Sequence, residues 1–269
     1  MADQRPTREV YSQRDNPGFE AWIATRKADQ EAAFFLPHLR PGMQVRDVGC
    51  GPGSITLGLA EVVAPGEVVG IDIQPSQVQR ARDLACERGI ANVRFEVGDG
   101  TRLPFPDHSF DAVFAHAVLL HLSEPVRALA EMRRVLRPGG LAGVREPDDG
   151  TILLTPATPL LEQWLALIIR KGRHHGADPL VGRHLRRLLL EAGFVRAEAS
   201  ASAESAGSPE ETRRYAAFFK TWSVRTALTE GWVTEATVDA MWAEMDTWAE
   251  RPDAFFVVIF CEGVWWTAD

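Results

Sequence analysis

The stretch Val45 to Gly53, VRDVGCGPG, constrains this chain more than any other: an apolar strand pattern runs straight into glycines at 49, 51 and 53, and a helical pattern follows at once. Glycine lets a backbone turn sharply and puts no Cβ between a ligand and main-chain N–H groups. A tight strand-to-helix turn by itself would account for one or two of the three. Spacing narrows the choice. A dinucleotide turn, GxGxxG, needs glycine at 54, where this chain has Ser54, so the GxGxG pattern argues against a pyrophosphate ligand and an NAD-dependent dehydrogenase.

Two further strand tips extend the pattern. The second predicted strand ends Gly70-Ile71-Asp72-Ile73, with the acid 19 positions beyond Gly53. A carboxylate there can accept hydrogen bonds from both hydroxyls of a ribose, although any single strand-end Asp can also be merely solvated. The third ends Val97-Gly98-Asp99-Gly100, followed by Thr101. Ligands of open α/β sheets bind along this carboxyl edge. An Asp72 facing an open cleft should matter to ligand affinity and hardly at all to stability.

Short apolar runs alternate with helical patterns through the first half of the chain. Strands are predicted at 43–48, 67–73, 92–97, 110–115 and 141–146, with helices at 54–63, 75–88 and 124–136. That alternation implies right-handed crossovers and a parallel sheet covered on both faces. One N-terminal helix is expected over Phe19–Leu39, up to the breaker Pro41-Gly42. Beyond Thr151 the pattern changes: helices at 156–171 and 179–192, a sixth strand at 193–200, a polar Ala/Ser/Glu stretch to Gly207, helices at 209–229 and 234–250, and the β-rich AFFVVIFC from Ala254.

The fold class expected is therefore α/β, a seven-stranded, mostly parallel Rossmann-like sheet with helices on both faces and a helical lid. Residues 1–40 form an N-terminal helical cap, 41–200 and 251–269 the core, and 201–250 a helical insertion. So much extra chain in a compact domain is usually functional. The insertion, with the N-terminal helix and 151–178, should cover the substrate. Its tryptophans and Tyr215, Phe218 and Phe219 either line an apolar pocket or pack the lid onto the core.

Charge excludes some partners. Lys and Arg total 29 against 37 Asp and Glu, a net charge of −8, which works against non-specific affinity for nucleic acid or anionic membranes. The basic run Arg170–His175, with Arg183, Arg186 and Arg187, is interleaved with leucines at helical spacing and reads as a solvated helix face. The polar start shows no secretory signal, and the longest apolar run, 254–261, is too short to span a bilayer. Cys50, Cys86 and Cys261 lack the spacings of zinc or redox pairs. These features point to a cytoplasmic protein with a small-molecule substrate, no nucleic acid or membrane partner and no metal; a homodimer is compatible with them.

In this order and spacing, VRDVGCGPG, VVGIDI, VGDGTRLPFPDHSFDAVFAHAVLLHL and ALAEMRRVLRPGG resemble the class I S-adenosylmethionine-dependent methyltransferases, above all the small-molecule branch that contains the ubiquinone and menaquinone methyltransferases. The resemblance covers about Pro41 to Glu146. It implies S-adenosyl-L-methionine as cofactor. Gly49, Gly51 and Gly53 would make room for its methionine part, with Asp47 positioning that region. Asp72 would hold the ribose hydroxyls, Ile73 would pack on the adenine, Asp99 would accept from the adenine amino group, and Gly100 and Thr101 would close the pocket. Ala115 and His116 would contact the methionine amino group. Arg46 departs from the aliphatic residue usual there and hints at a polar lining. In similar proteins the N-terminal segment folds over the cofactor, so Tyr11, Arg14 and Arg26 are candidates, and an Arg there could pair with its carboxylate.

Methyl transfer to carbon, nitrogen or oxygen depends mostly on alignment and desolvation, and needs a general base only if the acceptor loses a proton early. The histidines His116, His121 and His174 are the catalytic candidates, beside His175 and the cluster Glu146–Asp149. None is singled out by spacing, and His121 could equally cap or pack its short helix. The alternative reading is a protein of the same fold that binds the cofactor without transferring its methyl group, as a non-methylating catalyst or a regulatory subunit.

Overall fold

The computed structural model describes residues 16–222 and 224–268; Tyr11 and Arg14 lie outside them. One seven-stranded sheet organises the chain: β1 (Val45–Val48), β2 (Val68–Asp72), β3 (Val93–Val97), β4 (Phe110–His116), β5 (Leu136–Thr155), β6 (Arg196–Ala206) and β7 (Phe255–Trp266), in the order β3-β2-β1-β4-β5-β7-β6. The first five strands are parallel, as expected, and β7 runs antiparallel to both its neighbours. Chain order reverses at β1, so the crevice beyond the carboxyl ends of β1 and β4 is the switch point where such sheets bind ligands.

Helices cover both faces. On one, α2 (Ala28–Glu31) and α3 (Ser54–Val63) bury Ala28, Leu59 and Val63 against Val45, Val68 and Phe114. On the other, α5 (Pro125–Val135) and α7 (Leu185–Glu191) bury Leu129, Met132 and Leu189 against Val69, Val113 and Val144. The second helix of the crossover series, α4 (Pro75–Arg88), packs Val78 and Ala81 on Leu57 and Phe95. A separate cluster joins α6 (Pro159–His174), α8 (Pro209–Thr221) and α10 (Glu235–Ala249) to the outer ends of β5 and β7 around Trp164, Met241, Trp248 and Phe256. A short α9 (Arg225–Thr229) links α8 to α10.

Five expectations change; the helices expected at 179–192 and 209–229 are each broken, the first into a 3₁₀ turn (Val181–His184) and α7, the second into α8 and α9. The N-terminal helix is broken into α1 (Pro17–Ile23), α2 and a 3₁₀ turn at Leu36–His38, because the segment docks in three places. Trp22 of α1 stacks on Phe218 of α8, Ala28 sits on Gly58 of α3, and Phe35 fills the notch at Gly143, where a Cβ would meet its ring at 2.3 Å. The polar stretch 201–206 is sheet rather than insertion: β6 pairs with β7 as far as Ala206↔Phe256, since β-rich β7 supplies the pairing that the Ala/Ser/Glu run does not announce. Arg46 does not line the cavity at the carboxyl edge. It is wholly buried, its guanidinium 3.9 Å from the Phe105 ring centre, and burial pulls its pKa down to about 9.

Candidate active site

The glycine loop is fastened to β2. Gly49 and Cys50 both donate to the Ile71 carbonyl at 2.8 Å, and the N–H of Gly51 donates to Asp72 Oδ2 at 3.0 Å while that of Gln74 donates to Oδ1 at 2.8 Å. All three glycines take positive φ, but their surroundings differ. A Cβ at Gly49 would strike Val118 Cγ2 at 2.4 Å, and one at Gly53 would strike Ala81 and Phe95 at 2.8 and 2.9 Å; at Gly51 only Ile23 Cδ1 lies near, at 3.7 Å. Gly49 and Gly51 line the large cavity at the carboxyl edge, whereas Gly53 begins α3 and is outside its lining.

Asp47, Asp72, Ile73, Asp99, Gly100 and His116 line the same cavity. Buried Asp47 accepts from Thr56 Oγ1 at 2.6 Å, tying β1 to α3, and burial raises its carboxyl to about 7. Burial also raises the half-buried Asp72 carboxyl, against the backbone N–H groups of Gln74, Gly51 and Ile73 that favour its charge. Asp99 Oδ1 accepts from both the N–H and the hydroxyl of Thr101, at 2.8 and 2.7 Å, so Thr101 supports the wall from behind. Ala115 likewise belongs to the core behind His116.

Unpaired buried polar atoms mark where a polar ligand would fit. Gln74 Oε1, both amide atoms of Gln77 and both ring nitrogens of His116 are buried without a hydrogen-bond partner, and all three residues face the cavity. Such atoms cost free energy unless a ligand or water satisfies them. Gln74 and Gln77, on the turn entering α4, are additions to the sequence reading; their signal was position alone, just after Asp72. So is Ala117, a non-glycine at φ +53, a strained conformation of the kind that functional sites retain.

The histidine candidates separate. Burial, then Arg26 and Arg145, hold His116 well below its usual range, and burial with Lys171 and Arg26 holds His121 down at about 3. Both line the cavity as neutral rings and are poor proton acceptors. His174 is a correction: it is exposed, stacked edge-on against Trp232 and His175, and it is His175 that reaches the cavity. Glu146 is taken up by the backbone, accepting from Val118 and Leu119 at 2.8 Å and Leu120 at 3.2 Å, and burial raises it to about 7. Asp148 is held by Arg183 at 2.6 and 2.8 Å. Asp149, Lys171 and Arg26 face the cavity.

Away from the glycine loop the cavity becomes aromatic. Trp22 stacks on Phe218 at 4.2 Å and meets Tyr215 edge-on at 4.8 Å, with Phe219, Trp222, Phe256 and Phe260 around them. Of the seven tryptophans in the second half only Trp222 lines the cavity; Trp164, Trp248 and Trp265 are core.

A family model described as a methyltransferase domain matches residues 39–181. An uncharacterized methyltransferase of Schizosaccharomyces pombe is 33% identical over 227 residues, 78% of each chain. The ubiquinone/menaquinone biosynthesis C-methyltransferase of Ectopseudomonas mendocina is 40% identical over 128 residues, 47% of this chain and 48% of that one. Among solved structures, the [4+2]-cyclase SpnF superposes with a TM-score of 0.54 at 26% identity, over 87% of this chain and 79% of its own. The chain belongs to the methyltransferase-domain family, as a class I S-adenosylmethionine-dependent methyltransferase. Among the described residues no helix is long and apolar enough to cross a membrane.

Proposed function

We propose that this protein methylates an oxygen, nitrogen or carbon atom of a small, partly hydrophobic molecule. One observation carries the reading: a single cavity runs from the Gly51–Asp72 cradle to the aromatic wall of α1, α8 and β7, so a polar cofactor and an apolar acceptor would share one chamber. Bound there, the cofactor supplies an electrophilic methyl carbon on a sulfonium, with neutral S-adenosylhomocysteine as the leaving product.

The chain's own groups have separable tasks. Asp72 uses two of its roughly four acceptor positions on backbone N–H groups, which leaves the others for ribose hydroxyls. Ile73 and Asp99 bound the adenine end, and Gly100 offers backbone there. His116, neutral and without a hydrogen-bond partner, its Nε2 3.6 Å from Glu31 Oε2, faces the methionine end, where Arg26 would meet a carboxylate. The stacked rings of α1 and α8 act as the lid and keep water from the reacting atoms, which strengthens every electrostatic contact inside. Free cysteines and net negative charge suit a cytoplasmic protein acting on small molecules rather than nucleic acid.

The test is mass spectrometry after incubating purified protein with isotope-labelled S-adenosylmethionine and a metabolite extract. A labelled product is expected. The likeness to a [4+2]-cyclase favours one second reading, catalysis without methyl transfer; it would be supported by substrate turnover in which the label stays on the cofactor.

A further inference from the structure

The polar wall of the acceptor chamber is built by a break in β5. The ladder between β5 and β7 loses register between Asp148 and Leu153, and irregularities of this kind re-aim side chains beside active sites. Consecutive acids part company there: Asp148 is gripped by Arg183 and also accepts from Gly150 N–H at 3.0 Å, while Asp149 lines the cavity. The break is braced from both sides. Asp149 N–H donates to the Pro179 carbonyl at 2.9 Å, and Thr151 Oγ1 donates to the Asp148 carbonyl at 2.7 Å while accepting from Ile259 N–H at 2.9 Å.

Lys171, in the last turn of α6, faces the same chamber and is only 6% exposed. Its neighbour Gly172 lies against the Pro179 ring so closely that a Cβ would meet Cγ at 2.3 Å. Pro179 therefore seats both the end of α6 that carries Lys171 and the Asp149 backbone. Burial and Asp148 hold the Asp149 carboxyl up at about 7, with Lys171 opposing; burial holds the Lys171 ammonium down at about 8, with Asp149 opposing. The other titratable groups that bear on this wall are His121, kept neutral, His175, lowered by burial, His174 and Lys171, and Arg26.

A carboxylate and an ammonium in an aromatic chamber select their guest. A permanent anion meets Asp149 and a permanent cation meets Lys171, so the complement is a neutral group that ionises in place. Resting on the methyl-transfer reading, we propose that the acceptor is a flat apolar molecule with a phenol-type hydroxyl, that Asp149 takes the hydroxyl proton, and that Lys171 holds the resulting oxygen anion. The O–H bond breaks and its proton passes to an Asp149 oxygen. An oxygen lone pair then forms the O–C bond to the methyl carbon while the C–S pair returns to sulfur, leaving a neutral thioether. Lys171 stays protonated throughout, and Asp149 returns its proton to solvent.

The probe is para-nitrophenol, whose phenol and phenolate differ in colour, titrated into protein loaded with S-adenosylhomocysteine, with nitrobenzene as the control that lacks a hydroxyl. The bound phenol should ionise at lower pH than the free one. Lys171→Met should abolish that downshift and weaken nitrophenol by about tenfold to a hundredfold, leaving nitrobenzene unchanged; Asp149→Asn should keep phenolate binding. The wild-type colour shift needs no variant, so a variant that fails to fold leaves the test standing. Nitrophenol that fails to bind, binds no better than nitrobenzene, or ionises as it does in water overturns the proposal. Calorimetry with S-adenosylhomocysteine on the same samples separates the two readings: retained cofactor affinity confines the failure to the acceptor, whereas absent affinity in the wild type removes methyl transfer as well.

Discussion

The carboxylate of Asp72 and the backbone N–H of Gly51, 21 residues apart in sequence, meet at 3.0 Å, so the group proposed to hold the cofactor's ribose also holds the loop proposed to cradle its methionine. Asp72→Ala should weaken S-adenosylhomocysteine by roughly one to three orders of magnitude. Contrary to an open-cleft carboxylate, it should also lower stability, by about 1–3 kcal/mol, because the Gly51 and Gln74 donors lose their partner. Calorimetry and a ligand-free melting curve read the two effects; an unchanged melting temperature would mean that water replaces the carboxylate at no cost.

Gly51 and Gly53 should answer differently to alanine. At Gly53 the new methyl collides with Ala81 and Phe95 inside the core cluster of α4, and overpacking of this kind costs about 1–3 kcal/mol in addition to the strain of a positive φ. At Gly51 there is room, so the melting temperature should fall less and cofactor affinity should fall more. Equal losses of both properties in the two variants would argue against separate roles.

Glu146 gives a pH signature. Burial holds its carboxyl at about 7 against 4.5 when unfolded, so the folded protein retains a proton that the unfolded chain releases. The stability this contributes is complete below 4.5 and is lost as pH rises through 7. Glu146→Gln cannot titrate and leaves at least one of the three N–H donors of the 118–120 turn poorly matched. Its deficit relative to wild type should therefore be largest near about pH 5 and shrink by up to about 3 kcal/mol by about pH 8. Melting curves of both proteins at the two pH values measure this difference, in which every other titrating group cancels; a constant deficit would refute it.

For an acceptor that must lose a proton, kcat/KM should rise with pH through about 7 as Asp149 ionises and fall above about 8 as Lys171 loses its charge. The two limbs belong to the pair rather than to either residue alone. Asp149→Asn should remove most of the activity together with the acidic limb. A profile flat between pH 6 and 9 in steady-state assays with the acceptor found by isotope labelling would exclude this proton transfer.

Phe218 of α8 stacks on both Trp22, at 4.2 Å, and Phe19, at 5.8 Å, and so joins α1 to α8. Phe218→Ala should cost about 3 kcal/mol or more of stability if the pair is core, and less if the ring mostly meets ligand. In either case KM for the acceptor should rise more than that for the cofactor, a split that steady-state kinetics resolves.

The carboxyl-edge motifs were legible because each is local: the glycines, Asp72, Asp99 and the parallel run of the first five strands follow from short patterns in one crossover series. What escaped was assembled at a distance. The breaks between α1, α2 and the 3₁₀ turn depend on Phe218, Gly58 and Gly143, none of which neighbours the N-terminal segment in sequence. His174 and His175 are told apart only by the phase in which α6 ends. In the sequence Asp149 stands among the base candidates of the Glu146–Asp149 cluster without being singled out, and Lys171 reads as part of a solvated basic face; the register break in β5 and the shared seat on Pro179 turn both inward.

Because β7 lies between β5 and β6, the sheet is completed out of chain order. During synthesis the cradle around Gly51 and Asp72 can close as soon as β1 to β4 have left the ribosome, while β5 and β6 wait as open edges for residues 255–266. The glycine-loop end of the cavity can thus form well before its aromatic end, whose Phe256 and Phe260 arrive with the last strand.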